Sequence, residues 1–164
     1  MIAAAMGPDG DLVAKRLGRG CHCHAVWIGG SLAGYGWLST GPEWIGEIQL
    51  DLKPREREGY IWNCLTLPEH RRRGVFRSLV WGISSAGRRL GLRRIWIGSV
   101  AIPAEKALAP IGFRPALRFD SGTLGGLHVM RVSRGPDSRL ADDACSSLAV
   151  RPGLLVRGVR LRRH

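Results

Sequence analysis

A chain of 164 residues, 45% hydrophobic and 23% charged, is sized and composed for one folded core with a short extension, which excludes a fibrous or low-complexity protein. Its longest uncharged stretch, 20–42, is rich in glycine and broken by His22 and His24, so no membrane span is expected. A net charge of +12, from 25 basic against 13 acidic residues, invites a nucleic-acid hypothesis, against which stands the plain reading that 22 of the 25 are arginine, an imbalance codon composition alone produces.

Met1 to Gly10 has no basic n-region and no apolar stretch of useful length, which argues against a signal peptide and for the cytoplasm. Asp9 or Asp11 then precedes a short helix through Leu12, Val13 and Leu17, stopped by Gly18 and Gly20. Cys21 to Ile28 reads as a strand, Gly29-Gly30 as a turn and Leu32 to Leu38 as the second strand of a hairpin. Cys21-His22-Cys23-His24 carries zinc-type ligands, but strand alternation sends the cysteines to one face and the histidines to the other, so no metal site is expected. With Cys64 and Cys145, the cysteines are too few for a disulfide scaffold and read as small, reduced core residues. A third apolar segment, Ile45 to Leu52, is read as a strand beside the next one, Tyr60 to Leu67.

Between Arg71 and Arg94 stand eight arginines and no acidic residue, and the first three run into Gly74. From there Val75, Leu79, Ile83, Ala86 and Leu90 recur at spacings of four, four, three and four, one face of a helix that Gly91 stops. Arg94 to Val100 follows as an apolar strand. Strand, basic turn, helix, strand is a βαβ crossover with the Tyr60 and Ile95 strands as parallel neighbours. A short helix at Ala104 to Ala109, the landmark Gly112-Phe113, and strands at Ala116 to Phe119 and Leu127 to Val132 complete the domain. The tryptophans, among them Trp27, Trp37, Trp62, Trp81 and Trp96, are assigned to core and cleft lining. Residues 1–133 are read as the domain and 134–164 as a basic, disordered tail, with an extra edge strand through Leu154 to Leu161 as the minor alternative.

The basic turn falls where a helix starts, so unpaired N–H groups, the positive end of the helix dipole and flanking guanidinium groups converge on one spot. That is a site for phosphate, and glycine lets the ligand approach the backbone closely.

These residues resemble the GCN5-related N-acetyltransferase (GNAT) family. Leu65-Thr66-Leu67-Pro68 is similar to the family's hydrophobic-x-hydrophobic-Pro strand end, and Arg71-Arg72-Arg73-Gly74-Val75-Phe76 fills its cofactor loop. Gly112-Phe113 lies at the later landmark, and the early hairpin corresponds to Gly29-Gly30 followed by Ala33-Gly34-Tyr35-Gly36-Trp37. The resemblance covers about residues 12–132 and is most specific from Tyr60 to Phe113. It implies an α/β (α+β) fold with a mixed, mostly antiparallel sheet, a βαβ crossover and a V-shaped splay between two parallel strands, from which this chain departs by a shortened N-terminal region, the part before Cys21 being too short for the family's full first strand and two helices.

It also implies acetyl-CoA as acyl donor, with an amine acceptor as its partner. Main-chain groups of Leu65 and Leu67, flanking Thr66, would pair with the pantetheine amides, and N–H groups of Arg72 to Phe76, with the side chains of Arg71, Arg72 and Arg73, would hold the pyrophosphate. Phe76 stands where the family has a small Gly or Ala, so its ring must turn into the core while its N–H faces outward. The family's tyrosine position is Leu108 and its asparagine position Ala101, so no general acid carries over.

Direct transfer needs a base for the amine proton. Glu43, Glu47, Glu69, His70 and His128 are candidates, and Glu47 leads because it would begin the strand beside Tyr60. Asn63 and Ser99 could hold a water in the cleft.

The expected function is therefore transfer of an acetyl group from acetyl-CoA to a primary amine of a small molecule or peptide. A degenerate acyl-CoA binder without turnover is one alternative. A basic nucleic-acid-binding protein is another, weakened because the charge is spread (18 basic and 10 acidic residues in 1–133, 7 and 3 in 134–164) and no aromatic platform accompanies it. A homodimer stays open as the assembly.

Overall fold

The computed structural model describes residues 1–99 and 102–158, and these divide into two units, Met1–Gly41 with Pro54–Phe113, and Pro42–Lys53 with Arg114–His164.

The first unit holds a four-stranded mixed sheet in the order β1 (His22–Ile28), β2 (Ser31–Ser39), β5 (Glu58–Thr66), β6 (Arg94–Ile97). β1 and β2 form the expected hairpin, Gly29 and Gly30 both taking positive φ in its turn. β2 pairs antiparallel with β5, and β5 pairs parallel with β6 after crossing through α3 (Val75–Arg89). The helices α1 (Ile2–Ala5) and α2 (Leu12–Gly18) precede the sheet, and α4 (Ile102–Leu108) follows it. Asp11 stands at the N-cap of α2 but makes no capping bond.

Two apolar clusters form on this sheet. Leu38, Ile61, Leu79, Val80, Ile83 and Leu108 pack with α3, and Met6, Cys21, Tyr35 and Trp37 pack with the N-terminal helices. The α3 stripe is buried at Val75, Leu79 and Ile83, as its period requires. Leu90 departs from the stripe: it caps the helix in the open, 53% exposed, because the chain reverses at Gly91 and Leu92 packs in its place. Trp27 and Trp81, assigned to core and cleft lining from sequence, are 49% and 60% exposed.

Two sheet assignments change. The segment 45–52 is a small hairpin, β3 (Glu43–Ile45) and β4 (Leu50–Leu52), and pairs only with itself. The place beside Tyr60 belongs to β2 and β6. Gln49, at φ 50°, makes the reversal that an unbroken strand would not have.

The described part of the tail, to residue 158, is folded rather than disordered. In the second unit β7 (Leu117–Leu124) and β8 (Leu127–Arg134) make a hairpin longer than expected, α5 (Ser138–Leu148) follows, and β9 (Gly153–Gly158) pairs along β8 from Leu127↔Gly158 to Val132↔Gly153. The Asp137 side chain caps α5 by accepting from the Leu140 N–H at 3.0 Å, and Ala141, Ala144 and Leu148 are buried at helical spacing. The minor alternative, an edge strand near Leu154, is what forms. Its proposed far end, 159–161, lies outside the described residues.

Candidate functional site

β5 and β6 pair from Glu58↔Arg94 to Ile61↔Ile97, and there the pairing ends while β5 runs on to Thr66. The edge of β5 from Trp62 to Thr66 is therefore open on the side where β6 leaves it, and this is the splay between parallel strands that the sequence led us to expect. The divergence coincides with a bulge. Trp37 faces Trp62 and Tyr35 faces Leu65, so β5 spends one residue more than β2 over the same rise, with Asn63 at φ 46°.

Glycines on β2 make room for this irregular strand. A Cβ at Gly36 would meet Cys64 Sγ at 2.8 Å, and one at Gly34 would meet the Leu65 carbonyl oxygen at 2.6 Å. Burial pushes the Cys64 thiol up to about 12, so it is a protonated packing group.

After Thr66 the chain enters a short 3-10 turn, Pro68–His70, then Arg71 to Gly74, then α3. Leu67 anchors the exit by donating its N–H to the Ala33 carbonyl at 3.0 Å. Arg72 (φ 60°) and Gly74 (φ 76°) are left-handed, which folds the turn under the helix start. Ser78 closes the first helical bond, onto the Gly74 carbonyl at 3.0 Å, and among the described residues no side chain caps this end. The N–H groups of Val75, Phe76 and Arg77 are thus the open donors of a fifteen-residue helix. Arg71, Arg72 and Arg73 are exposed around them, and Arg73 lies 3.4 Å from His70 Nδ1. Phe76 packs against the α3 core cluster, as its size demands. Leu65, Thr66, Leu67 and Arg71 to Phe76 are consequently one continuous ledge of strand edge and helix start.

The candidate bases fall on different elements. Glu47 sits exposed in the β3–β4 turn, so the reason for choosing it, a strand start beside Tyr60, is corrected. Glu43 is buried at the start of β3 and His128 is buried in β8, both in the second unit. Glu69 and His70 belong to the turn itself. Leu108 is buried in the core cluster and offers no proton, while Ala101 lies outside the described residues. Ser99 is exposed past the end of β6. The second unit has a separate concavity of about 470 Å³ whose lining includes Trp44, Asp51, Lys53 and Leu148, and none of the expected site residues lines it.

The two faces of β1 hold different groups: Cys21 and Cys23 pack with the Trp37 cluster, and His24 faces α3. Burial, then His22 and Arg89, hold His24 below its ordinary pKa, so the imidazole is neutral near pH 7. Among the described residues no group of His, Cys, Asp and Glu is placed to hold a metal ion, and no helix is long and apolar enough to cross a membrane.

Sequence reasoning missed two charged groups that shape the ledge. Glu58, buried at the first β5–β6 pair, accepts from Arg94 at 3.1 Å, from the Trp96 indole at 2.8 Å and from the Arg55 backbone at 3.2 Å. Arg16 of α2 is buried at 5% exposure against Trp37 and Trp62 and donates to Asn63 Oδ1 at 2.9 Å. The cue was present for Arg16, a lone arginine beside the apolar stripe of a short helix.

Known structures share this fold. AAC(6')-Iy, solved in complex with the bisubstrate analogue CoA-S-monomethyl-acetylneamine, superimposes with a TM-score of 0.53 at 18% identity over 72% of this chain and 81% of its own. A Trypanosoma brucei acetyltransferase gives 0.51 at 17% identity over 70% and 76%. A putative acetyl transferase from Pyrococcus furiosus gives 0.50 at 14% over 70% and 73%. No protein of curated function matches the chain by sequence. The sequence profile of the acetyltransferase (GNAT) family matches residues 6–113, a span that contains α2, the bulged strand, the basic turn and Gly112-Phe113. The chain belongs to the acetyltransferase (GNAT) family.

Proposed function

We propose that the protein transfers an acetyl group from acetyl-CoA to a primary amine of a small molecule or a peptide. The observation that carries this reading is the continuity of the open β5 edge with the uncapped start of α3. A pantetheine arm is an extended chain of two amides, and the unpaired strand edge offers it the main-chain groups of Leu65 to Leu67 that the β2 ladder leaves open, the Leu67 N–H being already given to Ala33. A diphosphate fits the α3 start, where open N–H groups meet the positive end of the helix dipole and the side chains of Arg71, Arg72 and Arg73. With the thioester held there, attack by a neutral amine is favoured by placement. AAC(6')-Iy, with its CoA-containing bisubstrate analogue, supports the same pairing of donor and acceptor.

The amine's proton leaves through water or the acceptor's own groups, and Glu69 and His70 are the titratable side chains of the turn that continues the ledge. The chain works in the cytoplasm, where acetyl-CoA is available. Two measurements test the proposal. Acetyl-CoA should raise the melting temperature, and an unmoved transition would refute the cofactor site. Thiol release from acetyl-CoA across a panel of amines should exceed the amine-free rate for at least one acceptor. Binding without release for every amine would leave a cofactor-binding protein and overturn the transfer step.

A further inference from the structure

Arg16 joins a helix to the one irregular step of β5. Its guanidinium carbon lies 4.2 Å from the Trp62 ring centroid and 5.1 Å from that of Trp37, and the two rings are 6.4 Å apart at a 36° tilt. Both indole N–H groups are buried and, among the described residues, neither has an acceptor. The rings therefore keep their places by packing and by the cation above them rather than by hydrogen bonds. The same guanidinium donates to Asn63 Oδ1 at 2.9 Å, and Asn63 is the left-handed residue of the bulge. A non-glycine residue in that conformation is held by its surroundings, not by its own preference. On the opposite face Cys64 fills the space left by Gly36, so the bulge is fixed from both sides of the sheet.

We propose that Arg16 is a positioning residue: by clamping Asn63 and the Trp37–Trp62 pair, it sets the bulge from which β5 diverges, and so the pitch of Cys64 to Leu67. The inference rests on the proposed function, because that stretch is the edge assigned to the pantetheine arm. Arg16 itself touches no substrate. Its removal alters how well the edge receives the donor and leaves the chemistry of a bound donor nearly unchanged.

Four variants carry the test. Arg16→Met keeps the length of the side chain and removes the charge. Arg16→Lys can donate to Asn63 but lacks the flat fork that stacks on indole. Asn63→Gly accepts the left-handed backbone freely and deletes only the acceptor. The fourth is the Arg16→Met/Asn63→Gly double variant. Arg16→Met should raise the KM for acetyl-CoA about tenfold, the scale of one buried charge-assisted hydrogen bond, with kcat changed less than about twofold. Arg16→Lys should fall between, and the double variant should be no worse than Arg16→Met alone. Amide hydrogen exchange should quicken at Cys64 to Leu67 relative to Val80 and Ile83 of α3. A fall in kcat at unchanged KM, additive single effects, or exchange that quickens equally in α3 would overturn the positioning role. If the wild type ignores acetyl-CoA, the functional reading falls instead. The exchange comparison, which needs no ligand, still decides the place of Arg16.

Discussion

Gly74 is the residue on which the anion site turns. At φ 76° it pays no side-chain penalty, and a Cβ there would find only Arg77 Nη2, at 3.9 Å. Gly74→Ala therefore tests backbone strain alone, expected to cost roughly 1 kcal/mol of stability with the cofactor still bound. Gly74→Glu adds a carboxylate beside the proposed diphosphate, and acetyl-CoA affinity is expected to fall about a hundredfold, the scale of like-charge juxtaposition. Isothermal titration calorimetry on both variants, with circular dichroism to confirm folding, separates the two effects. Cys64 gives a second prediction. Its thiol, raised by burial from an ordinary 9.0 to about 12, stays protonated in the fold. The stability this lends is complete below about pH 9 and is lost as pH climbs toward 12, since the unfolded thiol ionises first. At pH 8, alkylation of Cys64 should be at least about tenfold slower in the native protein than in urea, read by mass spectrometry.

At the scale of elements, the closed end of the β5–β6 pair is held by Glu58, and its three donors span residues 55, 94 and 96. Glu58→Ala leaves the Trp96 indole and Arg94 without their shared acceptor and is expected to destabilise the fold by about 3 kcal/mol in urea unfolding. A loss under about 0.5 kcal/mol would mean that solvent replaces the carboxylate freely. The path from β5 through the basic turn to α3 was legible because three local signals agree there: an apolar run, a helix-starting glycine and a four-residue period. Glu58 was not legible, since an acidic residue at the end of the charged loop 53–59 looks like solvent-facing surface until β6 arrives from far along the chain. The β3–β4 hairpin failed for the opposite reason. Ile45 to Leu52 has the composition of one strand, and only the left-handed Gln49, a residue with no turn signature, splits it. The reason for choosing Glu47 fell with that assignment. α5 and β9 were hidden by composition: serines and aspartates interrupt the apolar pattern of the helix, and β9 is ordered by its ladder on β8 while Leu154 and Val156 stay exposed.

For the molecule as a whole, the excess of arginine has a consequence that depends on where the charge sits. The basic turn concentrates cationic side chains at an uncapped helix start, and acetyl-CoA affinity should weaken with added salt, with most of the change between low and physiological ionic strength. The family profile stops at Phe113, yet the second unit draws strands from both 42–53 and 114–158 and a helix from the latter. Within it Lys53 donates its N–H to the Ser147 carbonyl at 2.8 Å, and Arg134 pairs with Asp142. A chain ended at Gly135 loses the β9 ladder, the buried faces of Ala141, Ala144 and Leu148, and the partner of the β3–β4 hairpin. Calorimetry should then show the melting transition lowered by about 5 °C or more. A disordered tail would predict no shift, so an unchanged transition would return 136–164 to the status of an appendage and leave Met1 to Gly135 as the whole folding unit.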